Sequence, residues 1–448
     1  NYPPIKQNKM KMKFSIFSWG LFIVLTVSCT KTSTENPTPT NPPSPAPIVT
    51  TPIKIVYPAI TLDSVSKINK SSSWYTTNKS FDQLFNVQDS YYWGFELTPT
   101  NQLIPYNNGT TASWSSNKSY FWYDLGTYLY TDLTGDGKKD LWAYYWKNPW
   151  PTNATGIHLF SEYEKDKFAA DVQQGLTQVR KCVLADFNND GQNEIMLFSS
   201  GHDAMPFPGD SLAIFHIKEK KYQYLNKDIG YFHGGATGDI NNDGFIDIVA
   251  YSGWSAVIPN HPTCYLNTGG GNFNLANDIF KGFNLDGSDN YYTVDLFDLD
   301  GDGWLDLLLG GQEKLRIIQN NKGVFDRSKA KLIQSEKSLE LMDMAYMDFD
   351  FDGRIDILTL SNKTGYNGFG LRLLLNKVDG FVDATSTYFD RTNHEGNNAW
   401  IKWIHLFDYD KDGDIDVVAD GLFGDLGAPK GRVIYWKNTE GKFSIVGL

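Results

Sequence analysis

One nine-residue arrangement of oxygen-bearing side chains occurs six times in this chain: DLTGDGKKD from Asp132, DFNNDGQNE from Asp186, DINNDGFID from Asp239, DLDGDGWLD from Asp298, DFDFDGRID from Asp348 and DYDKDGDID from Asp408. Positions one, three, five and nine of each copy carry an oxygen donor, and position six is Gly. The donors are Asp132, Thr134, Asp136 and Asp140; Asp186, Asn188, Asp190 and Glu194; Asp239, Asn241, Asp243 and Asp247; Asp298, Asp300, Asp302 and Asp306; Asp348, Asp350, Asp352 and Asp356; and Asp408, Asp410, Asp412 and Asp416. Alternate positions of a backbone wrapped round a hard cation point inward, the Gly lets the turn close, and position seven can add a carbonyl. With no His or Cys among the donors, calcium fits best, because its shell takes many oxygens in flexible geometry. An EF-hand would need Glu at position twelve, which here is Ala143, Leu197, Ala250, Leu309, Thr359 or Ala419, so that class is excluded. Loop two is the weakest candidate, with Glu194 in place of the final Asp.

Strands must position these loops. The copies start 54, 53, 59, 50 and 60 residues apart, a period of about 55. After each ninth position comes a short apolar run: LWAYYW, IMLFSS, IVAYS, LLLGG, ILTLS or VVADG. A turn into an aromatic follows, at Phe168, Tyr222, Phe273, Phe325, Phe381 and Phe443, and the last four copies place an Asn shortly before it (Asn267, Asn320, Asn376, Asn438). Each period therefore holds four strands, and a four-stranded antiparallel unit repeated radially is a propeller blade. On these loops and their spacing, Asp132 to Phe443 resembles the FG-GAP or VCBS repeat family, the calcium-loop propellers that include the integrin α-chain head. The resemblance implies an all-β propeller of seven four-stranded blades, six of them with an ion loop and about six bound calcium ions. Residues 54–448 have the length for it, with 54–125 as a blade lacking the loop and the chain ends sharing a sheet. Six blades with an N-terminal extension is the competing count.

The chain before this body reads as an address. Residues 1–28 are assigned to an export signal: Lys11 and Lys13 precede an apolar run from Phe14 to Ser28 that is too short to span a bilayer comfortably. No Met opens the chain, so residues 1–9 are read as upstream of an initiator at Met10 or Met12. LTVSC at 25–29 is similar to a bacterial lipobox, with Leu25 one place further from Cys29 than usual, and Cys29 is the expected acylated residue. An ordinary cleaved signal is the alternative. Residues 29–53 hold a Pro/Thr/Ser-rich stretch that cannot bury a core and would act as a spacer from a membrane, at an outer-membrane or cell-surface address.

Composition agrees. The chain has 448 residues, 40 Lys+Arg against 52 Asp+Glu, and a pI near 5.1, which argues against nucleic acid as a partner. Removing residues 1–28 takes away Lys6, Lys9, Lys11 and Lys13 and no acid, so a net charge of −12 becomes −16. The donor positions hold 21 carboxylates. Six divalent ions would bring the body to about −4; without them the carboxylates repel one another. The ions are therefore expected to be structural. Three cysteines preclude a disulfide scaffold, and Cys182 and Cys264 are expected to be free and buried.

Strand order puts the ion loops on one face and the connections between second and third strands on the other. Those connections carry Trp146, Trp150, His202, Asp203, Trp254, His261, Tyr366 and Phe423, side chains suited to stacking on sugars or to protein contacts. The plainer reading of each aromatic is filler between blades. Asp295, Asp343 and His405 fall on inner strands and are expected to line a channel. The reading favoured is a monomeric, non-catalytic envelope lipoprotein that binds a glycan or protein. A polysaccharide lyase or hydrolase on the same scaffold is the alternative, with His202 and Asp203 the first pair to test, and a docking plate in a larger assembly is a third. No HExxH, GxSxG or Walker loop is present.

Overall fold

Apolar runs of five or six residues cut by Gly, Asn and Asp are too short for stable helices and pair as strands instead. The computed structural model describes residues 67–75, 93–97, 103–107, 120–121, 125–145, 157–161, 171–202, 205–283, 290–335, 339–365, 367–395, 400–423 and 434–447. The expected signal, tether and Cys29, together with Trp146, Trp150, Phe168, Asp203 and Tyr366, lie outside the described residues, as does the side chain of Phe423. No helix among the described residues is long and apolar enough to cross a membrane. Every element below belongs to one compact unit, Ile55–Leu448.

Strands β1 (Trp93–Leu97), β2 (Leu103–Asn107) and β3 (Tyr120–Phe121) form a sheet in the order β2-β1-β3, the described part of the expected loop-free blade. Six antiparallel sheets follow. The first is β4 (Leu125–Thr131), β5 (Asp140–Tyr145), β6 (Ile157–Ser161) and β7 (Asp171–Gln174); the second is β8 (Val179–Ala185), β9 (Glu194–Ser199), β10 (Asp210–His216) and β11 (Lys221–Gly230). The third is β12 (Phe232–Gly238), β13 (Asp247–Ser252), β14 (His261–Asn267) and β15 (Phe273–Leu275), followed by the short β16 (Phe280–Lys281). The fourth is β17 (Tyr291–Phe297), β18 (Asp306–Gly311) and β19 (Lys314–Ile318), completed beyond β20 (Phe325–Asp326) by β21 (Lys331–Gln334). The fifth is β22 (Leu339–Met347), β23 (Asp356–Lys363), β24 (Gly368–Lys377) and β25 (Gly380–Asp383), with β26 (Asn393–Glu395) also on β24. The sixth is β27 (Trp400–Phe407), β28 (Asp416–Phe423), β29 (Tyr435–Thr439) and β30 (Lys442–Val446).

Each of the six thus has sequential up-and-down order, and every acidic nonapeptide joins its first strand to its second. Two details depart from expectation. Phe325 does not open an outer strand; β20 pairs in parallel with β16, and the outer place on β19 goes to β21. Residues 393–395 form a fifth strand, β26, where each period is expected to hold four.

The core lies between the sheets. One cluster joins Trp142 and Tyr144 of the first sheet to Ile195, Leu197 and Phe215 of the second. The next joins Met196, Phe198 and Ile214 to Ile248, Ala250 and Tyr265; a third joins Val249 and Tyr251 to Leu307 and Leu309; the largest spans sheets four to six. Second strands are therefore covered on both faces, and β9, β13 and β18 are buried at every position. This explains why they read as unbroken apolar runs and not as alternating ones. First strands of successive sheets pack beside one another from β4 through β27. Close approach there requires Gly234, where a Cβ would stand 2.6 Å from the Tyr292 carbonyl oxygen of β17.

Residues 69–75, expected to begin the loop-free blade, do something else. Asn69 exchanges hydrogen bonds with the backbone of Asp298, Ser72 donates to the Leu296 carbonyl, the Ser73 hydroxyl accepts from Thr237, and the Trp74 indole donates to the Met344 carbonyl at 2.9 Å. Trp74 also packs edge-on against Phe297 and Tyr346. All these partners lie in the later halves of β12, β17 and β22 or just after them, so the segment covers the inner strands at their ion-loop end.

Candidate functional site

The six nonapeptides share one hydrogen-bond scheme. The position-one carboxylate accepts the N–H of position six, as Asp298 does from Gly303 at 3.1 Å and Asp239 from Gly244 at 2.9 Å. The position-five carboxylate accepts from position seven, for example Trp304 N to Asp302 at 2.9 Å. The position-nine carboxylate is buried and accepts the N–H of position two: Leu133 to Asp140, Phe187 to Glu194, Ile240 to Asp247, Leu299 to Asp306, Phe349 to Asp356 and Tyr409 to Asp416. The φ at position six is positive in every copy, 81° at Gly137 and 99° at Gly413. Position four is also left-handed, at Gly135, Asn189, Asn242, Gly301, Phe351 and Lys411. Gly and Asn adopt that conformation readily, whereas Phe351, at φ 58° and 41% exposed, is strained. Phe351→Gly is expected to stabilise the protein by about 0.5–1 kcal/mol, read as a higher denaturant midpoint at unchanged m.

The donor chemistry suits a hard cation. Among the described residues, carboxylate oxygens lie within 4.8 Å of one another in three groups: Asp298, Asp300 and Asp302; Asp348, Asp350 and Asp356; Asp408, Asp410 and Asp416. These groups could hold a metal ion, and calcium is compatible with an all-oxygen set. The first three loops share the backbone scheme but carry Thr134, Asn188 or Asn241 at position three. In loop two, Asn188 donates to Glu194, and His216 lies 3.7 Å from the same carboxylate. A protein cation already reaches loops five and six: Lys377 bridges Asp350 and Asp352, and Lys437 bridges Asp410 and Asp412.

Four of the position-nine carboxyls are strongly perturbed. Burial, helped by the neighbouring carboxylates and opposed by the backbone N–H bonds, pushes Asp247 and Asp356 up to about 7, Asp306 to about 8 and Asp416 to about 6. A buried carboxylate in this state needs a proton or a cation.

The recurring Asn is no ligand. Asn320 accepts from Gly323, its backbone N–H caps Asp306 at 3.0 Å, and its amide donates to Leu305 O and, across the sheet boundary, to Ile240 O of the preceding loop at 2.9 Å. Asn267 and Asn376 reach Phe187 O and Leu299 O in the same way. Each staples its ion loop to the one before. Asn320→Ala is expected to cost about 2–3 kcal/mol, because it leaves buried carbonyls unpaired; a midpoint within 0.5 kcal/mol of the parent would contradict this.

At the other end of the inner strands the expected ligand residues separate. Trp254 is 37% exposed and lies 5.2 Å, centroid to centroid, from Tyr292, which in turn meets His233 edge-on. His261 has a structural partner: its Nε2 lies 3.1 Å from Asp228, which also accepts from Thr263 and Asn277. His202 is half-buried in the connection after β9. Cys182 and Cys264 are free and buried, and burial pushes the Cys182 thiol up to about 12.

A register was missed. The residues six and five places before each ion loop are Gly126–Thr127, Arg180–Lys181, His233–Gly234, Tyr292–Thr293, Met342–Asp343 and Lys402–Trp403. The register slips around the first member of the pair in β4, β8, β12, β17 and β22, so that each strand end is re-aimed. Ten of these residues, from the second pair to the sixth, line one cavity together with Trp400. Asp343 lines it as expected; Asp295 lies deeper, held by Lys181 at 3.2 Å and the Tyr346 hydroxyl at 3.0 Å. Aligning the repeats on their ion loops and reading backwards would have exposed the pattern.

Among solved structures, the chain is similar to an Agrocybe aegerita lectin that recognises non-reducing terminal N-acetylglucosamine (16% identity, 80% of this chain and 89% of that one, TM-score 0.39). It is also similar to the Dos1 propeller (10%, 68% and 68%, 0.37) and to the rhamnogalacturonan lyase YesW (12%, 77% and 61%, 0.35). No curated protein matches its sequence. The FG-GAP-like repeat family matches at residues 239–309, 298–359 and 348–419, so the third to sixth ion loops and the sheets between them form three consecutive FG-GAP-like repeats.

Proposed function

We propose that this chain is an exported, lipid-anchored propeller of the cell envelope, stiffened by about six calcium ions, and that it binds a glycan or protein ligand on the face opposite the ions. Residues 54–448 form the propeller, with seven blades; the last strand, β30, completes the sixth sheet and not the loop-free one. In each ion loop the four donor side chains would hold calcium, which would supply the positive charge that the clustered carboxylates need. Cys29 carries the anchor, and two or more acyl chains make it stable.

The observation that carries the reading is the division of the inner strands. The acidic-loop ends of β12, β17 and β22 are tied to residues 69–75, while the beginnings of β8 to β27 line one cavity with the exposed Trp254 against its Tyr292. Rigid scaffolds commonly display binding groups in this way. Retardation in gels containing single polysaccharides, with calcium present and no product released, is the expected result. A second reading, lyase or hydrolase, is favoured by Asp343, whose carboxyl burial and the nearby Asp295 push up to about 7 beside the cavity, a value suited to proton transfer. Release of oligosaccharide, abolished by Asp343→Asn, would establish it. Retention of neither glycan nor protein in a broad screen contradicts both readings.

A further inference from the structure

The six ion loops are unequal in charge. Loops one to three carry a neutral side chain at position three, Thr134, Asn188 or Asn241, and so three carboxylates each. Loops four, five and six carry Asp there, and so four. In two of these three a lysine answers the extra carboxylate. Lys377 Nζ bridges Asp350 and Asp352, with Arg354 also on Asp352, and Lys437 Nζ bridges Asp410 and Asp412. The two lysines come from different sequence positions, one just after the staple Asn376 and one just before Asn438, yet both reach the donors at positions three and five. Loop four differs. Its donors, Asp298, Asp300, Asp302 and Asp306, meet backbone N–H groups and one neutral amide, Gln319 Nε2 on Asp300 at 2.6 Å. No lysine, arginine or histidine among the described residues is bonded to them. Gln319 stands just before Asn320, the place that Lys437 holds before Asn438.

Calcium sites built from oxygen ligands are tuned in affinity by the number of charged ligands and by their rigidity. An ammonium bonded to two of the donors cancels one of four negative charges and repels an incoming divalent ion. We infer that loop four is the tight calcium site of the chain, and that Lys377 and Lys437 hold loops five and six to weaker binding, so that ions are taken up in order and not together. This rests on the calcium reading above and ranks its sites. In loop four, Asp298, Asp300 and Asp302 already bring one carboxylate oxygen each within 4.8 Å of one another. In loop five, Lys377 takes Oδ2 of Asp350 and leaves Oδ1 buried without a hydrogen-bond partner, so the lysine weakens that loop for a cation and does not close it. The ranking also has a place in the fold. The Asp298 N–H donates to Asn69 at 2.8 Å, so the first ion bound braces the segment that ties β12, β17 and β22 together.

The test is calorimetric titration of the full exported chain with calcium after metal removal, with terbium luminescence excited through tryptophan as a second readout. Trp304, at position seven of loop four, is the one tryptophan within the six nonapeptides, so terbium bound there reports on that loop. Calcium is expected to bind in two classes, one equivalent at least about 10-fold more tightly than the rest. Terbium emission should appear with the first equivalent and be lost in Trp304→Phe. Gln319→Lys and Asp300→Asn, both at exposed positions, should each abolish the tight class. Lys377→Met and Lys437→Met should each move one further equivalent into it, although each deletes ion pairs and gains no stability in chelator. A folding defect cannot tighten binding in two variants and weaken it in the other two. A single class of equivalent sites, a tight class that survives Gln319→Lys, or lysine substitutions that leave the isotherm unchanged or weaken it overturn the inference while the calcium reading stands. No calcium uptake by the parent chain overturns both.

Discussion

Removing calcium with excess chelator at pH 7.5 is expected to lower the melting temperature by about 3–10 °C. Extracellular sites of this type bind at roughly 0.1–1 mM, so each contributes about 0.4–1.4 kcal/mol near 1 mM calcium, or about 2.5–8 kcal/mol over six. A body of this size has an unfolding entropy of roughly 0.8 kcal/mol per kelvin, which converts that range to the stated shift. The dependence on pH has a definite sign. Asp247, Asp306, Asp356 and Asp416 titrate at about 7, 8, 7 and 6 in the metal-free fold, above the ~3.9 of an unfolded Asp. The metal-free fold binds these protons more tightly than the unfolded chain does. The stability these four groups contribute is therefore fully present below about pH 4 and is lost as pH rises through 6 to 8. Calcium takes the place of the protons, so the gap between loaded and chelated protein should widen from pH 5.5 to pH 8. A gap that narrows over that interval would show that the position-nine carboxyls are not part of the ion sites.

Asp306→Ala should cost about 3–5 kcal/mol even without metal. Its two oxygens accept the buried N–H groups of Leu299 and Asn320, and both donors would be orphaned. Asp302→Ala, by contrast, loses one exposed bond from Trp304 and should cost less than about 1 kcal/mol when metal-free, while still removing a ligand. Chemical denaturation of both variants with and without calcium separates the roles. Equal costs in chelator would mean that position nine is not the buried anchor of the loop.

The strands and their order were readable because each carries a local signature: an acidic loop before the second strand, unbroken apolar residues within it, a turn before the fourth. What the sequence hid was long-range. Phe325 has the same turn and aromatic as its counterparts, yet β21 outcompetes it for the edge of β19, a choice made by packing. Nothing local marks Asn69–Tyr75 as the segment that would meet Thr237, Asp298 and Met344, more than 160 residues away. At the sites, the donor positions were legible from type and spacing. The staple made by Asn320 was seen as a recurrence without a purpose, since its partner Ile240 O is a backbone atom that no side-chain pattern reveals. The cavity residues escaped for a different reason: Arg180, His233, Tyr292, Met342 and Lys402 share a register and no chemistry.

Divalent cations in recurring acidic loops are expected to hold these sheets together. Metal analysis of the exported body, after dialysis against 1 mM calcium and correction for the free ion, tests it most directly. About six calcium equivalents per chain are expected; two or fewer, in protein that melts identically in chelator, would rule out a structural role for the loops.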